Sequence, residues 1–278
     1  MRLNPFNGAR RTKRADAVVT GAGSGIGRAF AVELGRRGGR VVCADIDAVG
    51  ARETVDLVAA IGGKGFDIVC DVRDADQVVA LADTAEEWFG KVPDIVINNA
   101  GIGRGGRHIG DAALPEWRAV LDVNLWGVVH GCHVFAPRLR AAGRGAIVNT
   151  ASAAAFAAGP RMAAYNVSKA GVLALSETLA AELSGTGVTV TTLCPTSVKT
   201  NILQDVSFPD ESTARIGHTV QRWTGRSPDA IARTTLDAVD RGALYVVPQI
   251  EAKVIWQSKR LLPGTYTRAA GLLERLAR

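Results

Sequence analysis

The sequence predicts an α/β protein built on a doubly wound, mainly seven-stranded parallel sheet with helices on both faces. Short β-branched runs alternate along the chain with longer stretches of helical periodicity. Two of the runs, residues 41–43 and 95–97, are apolar throughout, which is typical of strands buried on both faces of a parallel sheet. Alternating strands and helices of this kind fold into a doubly wound sheet with right-handed crossovers.

The alternation of strands and helices extends over one domain. The strand candidates are residues 17–20, 40–44, 65–70, 95–98, 146–150, 189–194 and 244–247. The helix candidates are residues 25–37, 75–89, 115–138 and 165–183. We predict a single domain over residues 15–248, a basic extension over 1–14 and a tail over 249–278. The connection 196–226 is predicted to be the substrate loop, because long connections in compact domains are often functional.

The composition of the 278-residue chain is that of an ordinary globular protein, with 47% hydrophobic and 22% charged residues. The net charge is +6, and much of the excess lies near the two ends, where charged runs are usually solvated. No nucleic-acid motif accompanies this charge, so nucleic acid is not a predicted partner.

Cysteine usage and the N-terminus predict a cytoplasmic protein. The four cysteines form no CxxC pair, and we interpret them as buried thiols in a reducing compartment. No apolar signal-peptide region follows the basic start of the chain. No uninterrupted apolar run reaches the ~18 residues that a membrane span needs.

The first strand candidate ends in a glycine-rich turn, residues 20–27, and a helical pattern begins at once. Glycines let the backbone approach a pyrophosphate, and the helix start offers free N–H groups and the positive end of its dipole. The spacing is TGxxxGxG instead of GxGxxG, but its place between strand and helix favours the same use. We predict a Rossmann-type dinucleotide site that includes Gly21, Ser24, Gly25, Ile26 and Gly27.

Asp45, at the end of the second strand, indicates which dinucleotide binds. A carboxylate there can accept hydrogen bonds from the adenosine ribose, and it would repel a 2′-phosphate. Ser24 and Ile46 stand where a base would be expected for NADP, and neither is basic. The arginines within residues 36–40 are predicted at a helix end and a strand start. NAD is therefore the predicted cofactor, with helix capping by Asp45 as the alternative.

Tyr165 and Lys169 are candidates for the chemistry, because residues four apart on a helix project from the same face. A free tyrosine has a pKa of about 10, and a neighbouring ammonium lowers that pKa by favouring the phenolate. A phenol tuned in this way is a suitable general acid–base. A YxxxK spacing is also common on surface helices, so the pair alone is not specific.

Two polar residues upstream extend the candidate catalytic set. Ser152 follows the fifth strand candidate, at the carboxyl edge of the sheet where ligands bind in open α/β folds. Its alternative role is to cap the next segment. Asn124 lies inside a helical pattern, where asparagine is unfavourable, so a kink or a polar role is indicated unless the side chain is simply solvated.

Taken together and in order, these motifs resemble the short-chain dehydrogenase/reductase family, in its single-domain, tyrosine-dependent branch, over about residues 15–248. The matching motifs are residues 20–27, 71–72 and 98–101, then Asn124, Ser152, Tyr165 and Lys169. The resemblance implies that the tyrosine exchanges a proton with the substrate oxygen. It also implies that the lysine binds the nicotinamide ribose and lowers the tyrosine pKa, that the serine hydrogen-bonds the substrate, and that the asparagine holds a proton-relaying water.

The resemblance implies the remaining cofactor contacts as well. Asp71 would contact the adenine with Val72 packed nearby, and the turn with Asn98, Ala100 and Gly101 would line the cofactor cleft. The contacts implied after the sixth strand are Pro195, Thr196, Val198 and Thr200. The family usually has Pro-Gly where this chain has Pro195-Thr196, so the backbone beside the nicotinamide is expected to differ.

We therefore expect an NAD-dependent oxidoreductase that moves a hydride between the cofactor and a secondary alcohol or its ketone. A mainly apolar substrate is suggested by Ile202, Leu203, Val206, Phe208, Ile216 and Trp223 in the substrate loop. The alternatives are an NADPH-linked 3-ketoacyl thioester reductase and a non-catalytic regulator that senses dinucleotides.

Metals and partners are predicted from two other features. His130 and His133 are three residues apart, but no further ligand completes a set, so no metal is predicted. In the family the helix that carries them often forms a subunit contact, which favours a homo-oligomer, either dimer or tetramer. The amphipathic segment 266–278 could dock on a partner subunit, touch an anionic membrane or close over the substrate pocket, and the first is favoured.

Overall fold

The computed structural model describes residues 10–198 and 225–276, and its strands form one parallel sheet. The strands are β1 (Asp16–Thr20), β2 (Arg40–Asp45), β3 (Lys64–Val69), β4 (Ile95–Asn98), β5 (Gly145–Thr150), β6 (Val188–Leu193) and β7 (Tyr245–Val246). Their order across the seven-stranded sheet is β3-β2-β1-β4-β5-β6-β7. The predicted Rossmann-type sheet is confirmed, and each strand lies where the sequence places it.

Helices connect the strands and cover both faces of the sheet. They are α1 (Gly25–Arg36), α2 (Ala48–Ala60), α3 (Ala75–Phe89), α4 (Leu114–Leu121), α5 (Gly127–Ala142), α6 (Ala154–Ala157), α7 (Ala163–Glu182), α8 (Pro228–Asp240), α9 (Ile250–Leu261) and α10 (Pro263–Leu276). A π-helical turn, Asp122–Trp126, joins α4 to α5. The single helix predicted over residues 115–138 is therefore interrupted, in the turn that contains Asn124. Such π-turns are frequent at functional sites.

Alternation along the strands divides the core between the two faces of the sheet. On β1, Val18 packs in one buried cluster with Phe135 of α5, and the next residue, Val19, packs in a second cluster with Phe30 of α1 and Leu236 of α8. Fully burying a side chain of this size stabilises the fold by about 1.5–3 kcal/mol. Two covered faces leave the carboxyl edge of the sheet as the place for a ligand.

In the described part of the N-terminal extension, residues 10–14, the four basic residues are exposed as expected and Thr12 is buried. Arg11 donates hydrogen bonds to the carbonyl oxygens of Gly145 and Gly187, at 3.2 and 3.1 Å. Thr12 is fully buried, and its backbone N–H and hydroxyl both donate to the carboxylate of Asp240 at 2.9 Å. The hydrogen bonds of Thr12 fasten the start of the domain to α8, and those of Arg11 fasten it to the starts of β5 and β6. Residues 1–9 lie outside the described part of the chain.

Among the described residues, one helical segment, Leu114–Ala142, has the length and apolar composition of a membrane span. We expected none, because that expectation counted only uninterrupted apolar runs. Half of the most apolar window is buried inside the structure, and its α5 portion packs on β4 and β5. These features are those of a core helix.

All four cysteines are buried and unpaired, as the sequence predicts. Burial raises the pKa of Cys43 and of Cys194 to about 12. Their thiols therefore remain protonated at neutral pH, and a protonated thiol is a poor nucleophile. The chemistry of the protein must be sought in other side chains.

Asp16, at the start of β1, is held by two cations. Its carboxylate lies 2.8 Å from Arg40 Nε and 2.9 Å from Lys91 Nζ. Burial alone would raise the pKa of Asp16, but the hydrogen bonds and charges of Arg40 and Lys91 outweigh it, and the pKa falls below its usual value of 3.8. The carboxylate thus stabilises the fold at neutral pH.

Replacing Asp16 by Asn is expected to weaken the fold and to change its acid sensitivity. At pH 7 the variant should lose about 1–3 kcal/mol of unfolding free energy, because the two cations lose an ionised partner. The wild type should lose this stabilisation as the pH falls below 3.8 toward the lower pKa of the folded state, and the variant should not. Urea titrations from pH 7 to pH 3 measure both, with the exposed Asp111→Asn as control. Parallel losses in wild type and D16N on acidification would contradict the expectation.

Candidate active site

A cleft of about 590 Å³ opens at the carboxyl edge of the sheet. Here β1 and β4 lie side by side and the strand order reverses, which is where ligands bind in open α/β sheets. The predicted site residues that line it are Gly21, Ser24, Gly25, Ile26, Asp45, Asp71, Val72, Ala100, Gly101, Ser152, Tyr165, Lys169, Pro195, Thr196 and Val198. Gly27, Asn98 and Asn124 do not line the cleft, and Thr200 lies outside the described residues, as do Ile202 to Trp223 of the substrate loop.

The glycine-rich turn is shaped by close backbone approaches. Gly21 has a φ of +65°, a conformation that side chains rarely adopt. Gly27 lies behind the turn, where a Cβ atom would come within 1.9 Å of the Gly21 carbonyl oxygen. Ser24 precedes α1 and makes no side-chain cap, so the first N–H groups of the helix have no side-chain acceptor there. The turn can therefore receive a pyrophosphate, with Gly27 as a packing residue instead of a direct contact.

Asp45 links the end of β2 to this turn. Its Oδ2 accepts a hydrogen bond from the backbone N–H of Gly23 at 2.7 Å, and its Oδ1 accepts one from the N–H of Asp47 at 2.9 Å. Helix α2 is capped by Asp47, whose side chain accepts from the N–H of Val49. The capping alternative for Asp45 is therefore wrong, and its carboxylate lies in the cleft wall.

The arginines near Asp45 in sequence are engaged elsewhere. Arg37 pairs with Glu33 and Asp237, and Arg40 pairs with Asp16 at the opposite edge of the sheet, as predicted. Arg28 of α1, which was not predicted near the site, donates a hydrogen bond to the Gly23 carbonyl. It also pairs with Glu53 at 2.9 Å. The structure thus adds one cation near the turn, and this cation already has a carboxylate partner.

Asp71 and Val72 line the cleft beyond the end of β3. A hydrogen bond from the Arg73 guanidinium holds the pKa of Asp71 below its usual range, although burial opposes it. His130 Nδ1 lies 2.9 Å from the Val72 carbonyl oxygen and so ties α5 to this wall. Over residues 10–198 and 225–276, no group of three potential metal ligands occurs.

In the turn over residues 98–101, Asn98 does not reach the cleft as predicted, and Asn99 lines it instead. Asn98 is buried under the sheet edge, and its amide donates to Asn149 Oδ1 at 2.9 Å. Asn99 lines the cleft instead, and its amide donates to the Thr20 carbonyl at 3.1 Å. Because successive strand residues point to opposite faces, one residue decides which asparagine reaches the cofactor cleft.

Tyr165 and Lys169 lie on the first turns of α7, and both line the cleft. Lys169 Nζ is 5.8 Å from the centre of the Tyr165 ring, and it donates a hydrogen bond to the Thr150 carbonyl at 2.9 Å. Burial lowers the pKa of Lys169 to about 8, which leaves it mostly protonated at pH 7. The side chain is therefore a buried cation close to the phenol.

The pKa of Tyr165 departs from its usual value in the direction opposite to our expectation. Burial raises this pKa, and a hydrogen bond with Ser152 opposes the rise without reversing it. The ammonium of Lys169 donates its hydrogen bond to the Thr150 carbonyl. The phenol is consequently protonated at neutral pH and can donate a proton to an oxygen in the cleft.

Ser152 and Asn124 have well-defined partners. Ser152 is buried beside Tyr165 and lines the cleft, and its Oγ also accepts a hydrogen bond from the N–H of Ala154 at 3.1 Å, as in the capping alternative. Asn124 is fully buried. Its amide donates to the Ile102 carbonyl at 2.9 Å, and its Oδ1 accepts from the Ile102 N–H at 2.8 Å. The polar role predicted for Asn124 is thus to fix the backbone of a cleft wall.

Several residues that were not predicted to line the cleft also do so. They are Cys70, Arg73, Ile102, Gly103, Arg104, Ala119, Val123, Thr150 and Ala151. Ile46, which was considered only as the place of a possible NADP contact, lines the cleft as well. Most are chain neighbours of predicted residues, so adjacency was the available signal. Ala119 and Val123 reach the cleft from α4 and the π-turn, and only the packing of the helices places them there.

Comparison with known proteins agrees with this geometry. The model of the short chain dehydrogenase family matches residues 15–210. The probable oxidoreductase EphD of Mycobacterium tuberculosis is 40% identical over 263 residues, which make up 91% of this chain and 44% of that protein. The chain thus spans less than half the length of that relative. The 1-deoxy-11-beta-hydroxypentalenate dehydrogenase of Streptomyces avermitilis is 38% identical over 239 residues, 85% of each chain.

Solved structures show the same architecture. A short chain dehydrogenase/reductase from Burkholderia phymatum in complex with NAD has a TM-score of 0.81 and 35% sequence identity. The match covers 88% of this chain and 92% of that one. The chain therefore belongs to the short-chain dehydrogenase/reductase family.

Proposed function

We propose that this protein is an NAD-dependent dehydrogenase that oxidises a secondary alcohol to its ketone, or reduces the ketone. The observation that carries the proposal is that one cleft contains both the glycine-rich turn with Asp45 and the group formed by Ser152, Tyr165 and Lys169. Free helix N–H groups suit a pyrophosphate, and a carboxylate suits a ribose. These residues fit NAD along the carboxyl edge of the sheet.

The side chains in the cleft suggest how the proton moves. When bound, NAD supplies the hydride acceptor for the carbinol carbon. Ser152, hydrogen-bonded to Tyr165, would orient the substrate oxygen. In ketone reduction the Tyr165 phenol would donate its proton to the carbonyl oxygen as a general acid. In alcohol oxidation Tyr165 would first lose its proton to solvent, and the phenolate would then take the hydroxyl proton as a general base. Lys169 would place its positive charge near the phenolate that forms and so stabilise it, which opposes the rise in the Tyr165 pKa that burial causes.

The substrate is proposed to be mainly apolar where it meets the described wall. Ile102, Ala119, Val123, Ala151 and Val198 all line the cleft. An apolar wall favours a substrate that loses contact with water on binding. The name of the Streptomyces relative, a hydroxypentalenate dehydrogenase, supports oxidation of a hydroxyl group. A screen of alcohols and ketones against both nicotinamide cofactors, followed at the NADH absorbance band, tests the reaction; failure with all of them would contradict it.

The choice of NAD over NADP depends on Asp45. We expect NADH to bind at least tenfold more tightly than NADPH, because a carboxylate about 4 Å from a 2′-phosphate costs about 1–4 kcal/mol. Asp45→Asn should lower this preference by about tenfold or more while keeping a hydrogen-bond acceptor. Fluorescence titrations with both cofactors measure the ratio, with the α2 cap variant Asp47→Asn as control. Tighter binding of NADPH by the wild type would overturn the assignment, whereas the NAD complex of the Burkholderia protein supports it.

A further inference from the structure

We propose that Glu274, in the C-terminal helix α10, is a positioning residue for the catalytic segment, defined as residues 152–165. This segment joins Ser152, just after β5, to Tyr165, in the first turns of α7, so its conformation bears on how the two side chains meet. The inference rests on the proposed function, because that function gives these two residues their catalytic roles.

The first support is a partly buried ion pair. Glu274 Oε1 accepts hydrogen bonds from Arg161 at 2.8 Å from Nε and 2.7 Å from Nη2. The two side chains are only 17% and 20% exposed. Charge-assisted hydrogen bonds in a partly buried setting are stronger and less screened than surface ion pairs. Arg161 lies four residues before Tyr165 and two before the start of α7. The ion pair therefore connects α10 to the residues that lead into α7.

The C-terminal helices hold the same segment at two further points. The Tyr266 hydroxyl of α10 donates a hydrogen bond to the Ala157 carbonyl at 2.9 Å. Trp256 of α9 stacks on Phe156, with 5.2 Å between the ring centres. One side of the C-terminal tail therefore packs on its own chain, and docking of its exposed side on a partner subunit stays a prediction. Its contacts are spread along the catalytic segment and not confined to one end.

The catalytic segment needs such support because its backbone is strained. Ala158 and Arg161 have φ values of +50° and +60°, in the left-handed region that residues other than glycine rarely adopt. Strained conformations persist only where the surroundings hold them. Both strained residues lie beside the contacts from α9 and α10. Without those contacts, the segment is expected to relax and to move Ser152 relative to Tyr165.

Arg161 also connects α10 to the segment that follows the cleft-lining residues Gly103 and Arg104. Its carbonyl oxygen accepts a hydrogen bond from the N–H of Gly106 at 2.8 Å, next to the cleft-lining residues Gly103 and Arg104. His108, from the same segment, lies 3.8 Å from Glu274 Oε1. Glu274 thus contacts two segments that adjoin the cleft, through Arg161 and His108, and none of these three residues lines the cleft itself.

The test compares Glu274→Gln with the neighbouring exposed variant Arg275→Gln in the full-length protein. We expect amide hydrogen exchange over residues 153–164 to become at least about tenfold faster in E274Q, with exchange in the sheet unchanged. NADH affinity should stay within about twofold, because the glycine-rich turn and Asp45 are not touched. With an alcohol that the wild type oxidises, kcat should fall at least about tenfold while KM changes little, because the proton-transfer geometry is lost and not the binding surface.

Charge reversal separates positioning from general stability. Arg161→Glu and E274R should each show the faster exchange, and the double variant should recover most of the wild-type exchange and kcat. The conservative E274D should fall between wild type and E274Q. The proposal is overturned if E274Q behaves like R275Q, if its exchange rises equally throughout the sheet, or if the double variant shows no recovery. The amide hydrogen exchange measurement needs no substrate, so it tests this proposal even if no alcohol is oxidised. Failure of this proposal can therefore be distinguished from failure of the proposed function.

Discussion

Tyr165→Phe should lower turnover by about 10²–10⁴-fold, which is the usual contribution of a positioned general acid–base. The substitution removes one oxygen atom and keeps the ring, so the packing of α7 is preserved. Affinity for NADH should remain within about twofold, because the phosphate turn and Asp45 are unchanged. Single-turnover absorbance and NADH fluorescence titration measure the two quantities separately.

A matched control is available in the same chain. Tyr245 lies at the far end of the sheet, where its hydroxyl donates to Glu177 at 2.6 Å, and it does not line the cleft. Tyr245→Phe should therefore leave turnover near the wild-type value. If Y165F lost NADH binding and turnover together, Tyr165 would be a structural residue and the acid–base role would be wrong.

Gly27→Ala should have the second large effect, on cofactor binding and on the fold together. The added Cβ would lie 1.9 Å from the Gly21 carbonyl oxygen and 2.7 Å from Asn99 Nδ2. The Gly21 oxygen is a backbone atom and cannot rotate away, so α1 must move off the turn. We expect a loss of about 1–3 kcal/mol in unfolding free energy, as for other overpacked sites. NADH affinity should fall by about tenfold or more, because α1 and the turn no longer lie together where the pyrophosphate binds. A tenfold loss corresponds to about 1.4 kcal/mol of binding free energy.

Gly271→Ala provides the control for this prediction. Gly271 lies in helix α10, and a Cβ there would meet nothing within 4 Å. Alanine in a helix is favoured over glycine by about 1 kcal/mol, so G271A should be neutral or slightly stabilising. Thermal unfolding and NADH titration of both variants decide the matter. Wild-type NADH affinity in G27A would mean that the dinucleotide binds away from this turn.

Patterns that follow from local physics were visible in the sequence. Apolar runs such as residues 95–97 identified buried strands, because only strands covered on both faces can be apolar throughout. The glycine-rich turn was visible because the backbone geometry there tolerates no side chain at Gly27. Asn124 indicated an irregular helix, and a π-turn occurs there. In each case one local requirement restricts the choice of residue.

Features that depend on three-dimensional packing could not be predicted. The pKa of Tyr165 is raised by burial, whereas the four-residue spacing to Lys169 alone suggested a lowered value. The spacing gives the shared helix face, but not the hydrogen bond that directs Lys169 to Thr150. The contact of Glu274 with Arg161 joins segments far apart in sequence. No local pattern carries information on such a contact.

A crystal structure of the NADH complex tests the central claim most directly, namely that Tyr165 transfers a proton beside a nicotinamide bound in this cleft. We predict that the pyrophosphate lies on the turn before α1 and that the Tyr165 hydroxyl faces the same side of the nicotinamide ring from which hydride leaves. Lys169 should contact the nicotinamide ribose. A nicotinamide ring separated from Tyr165 by intervening protein would contradict the account.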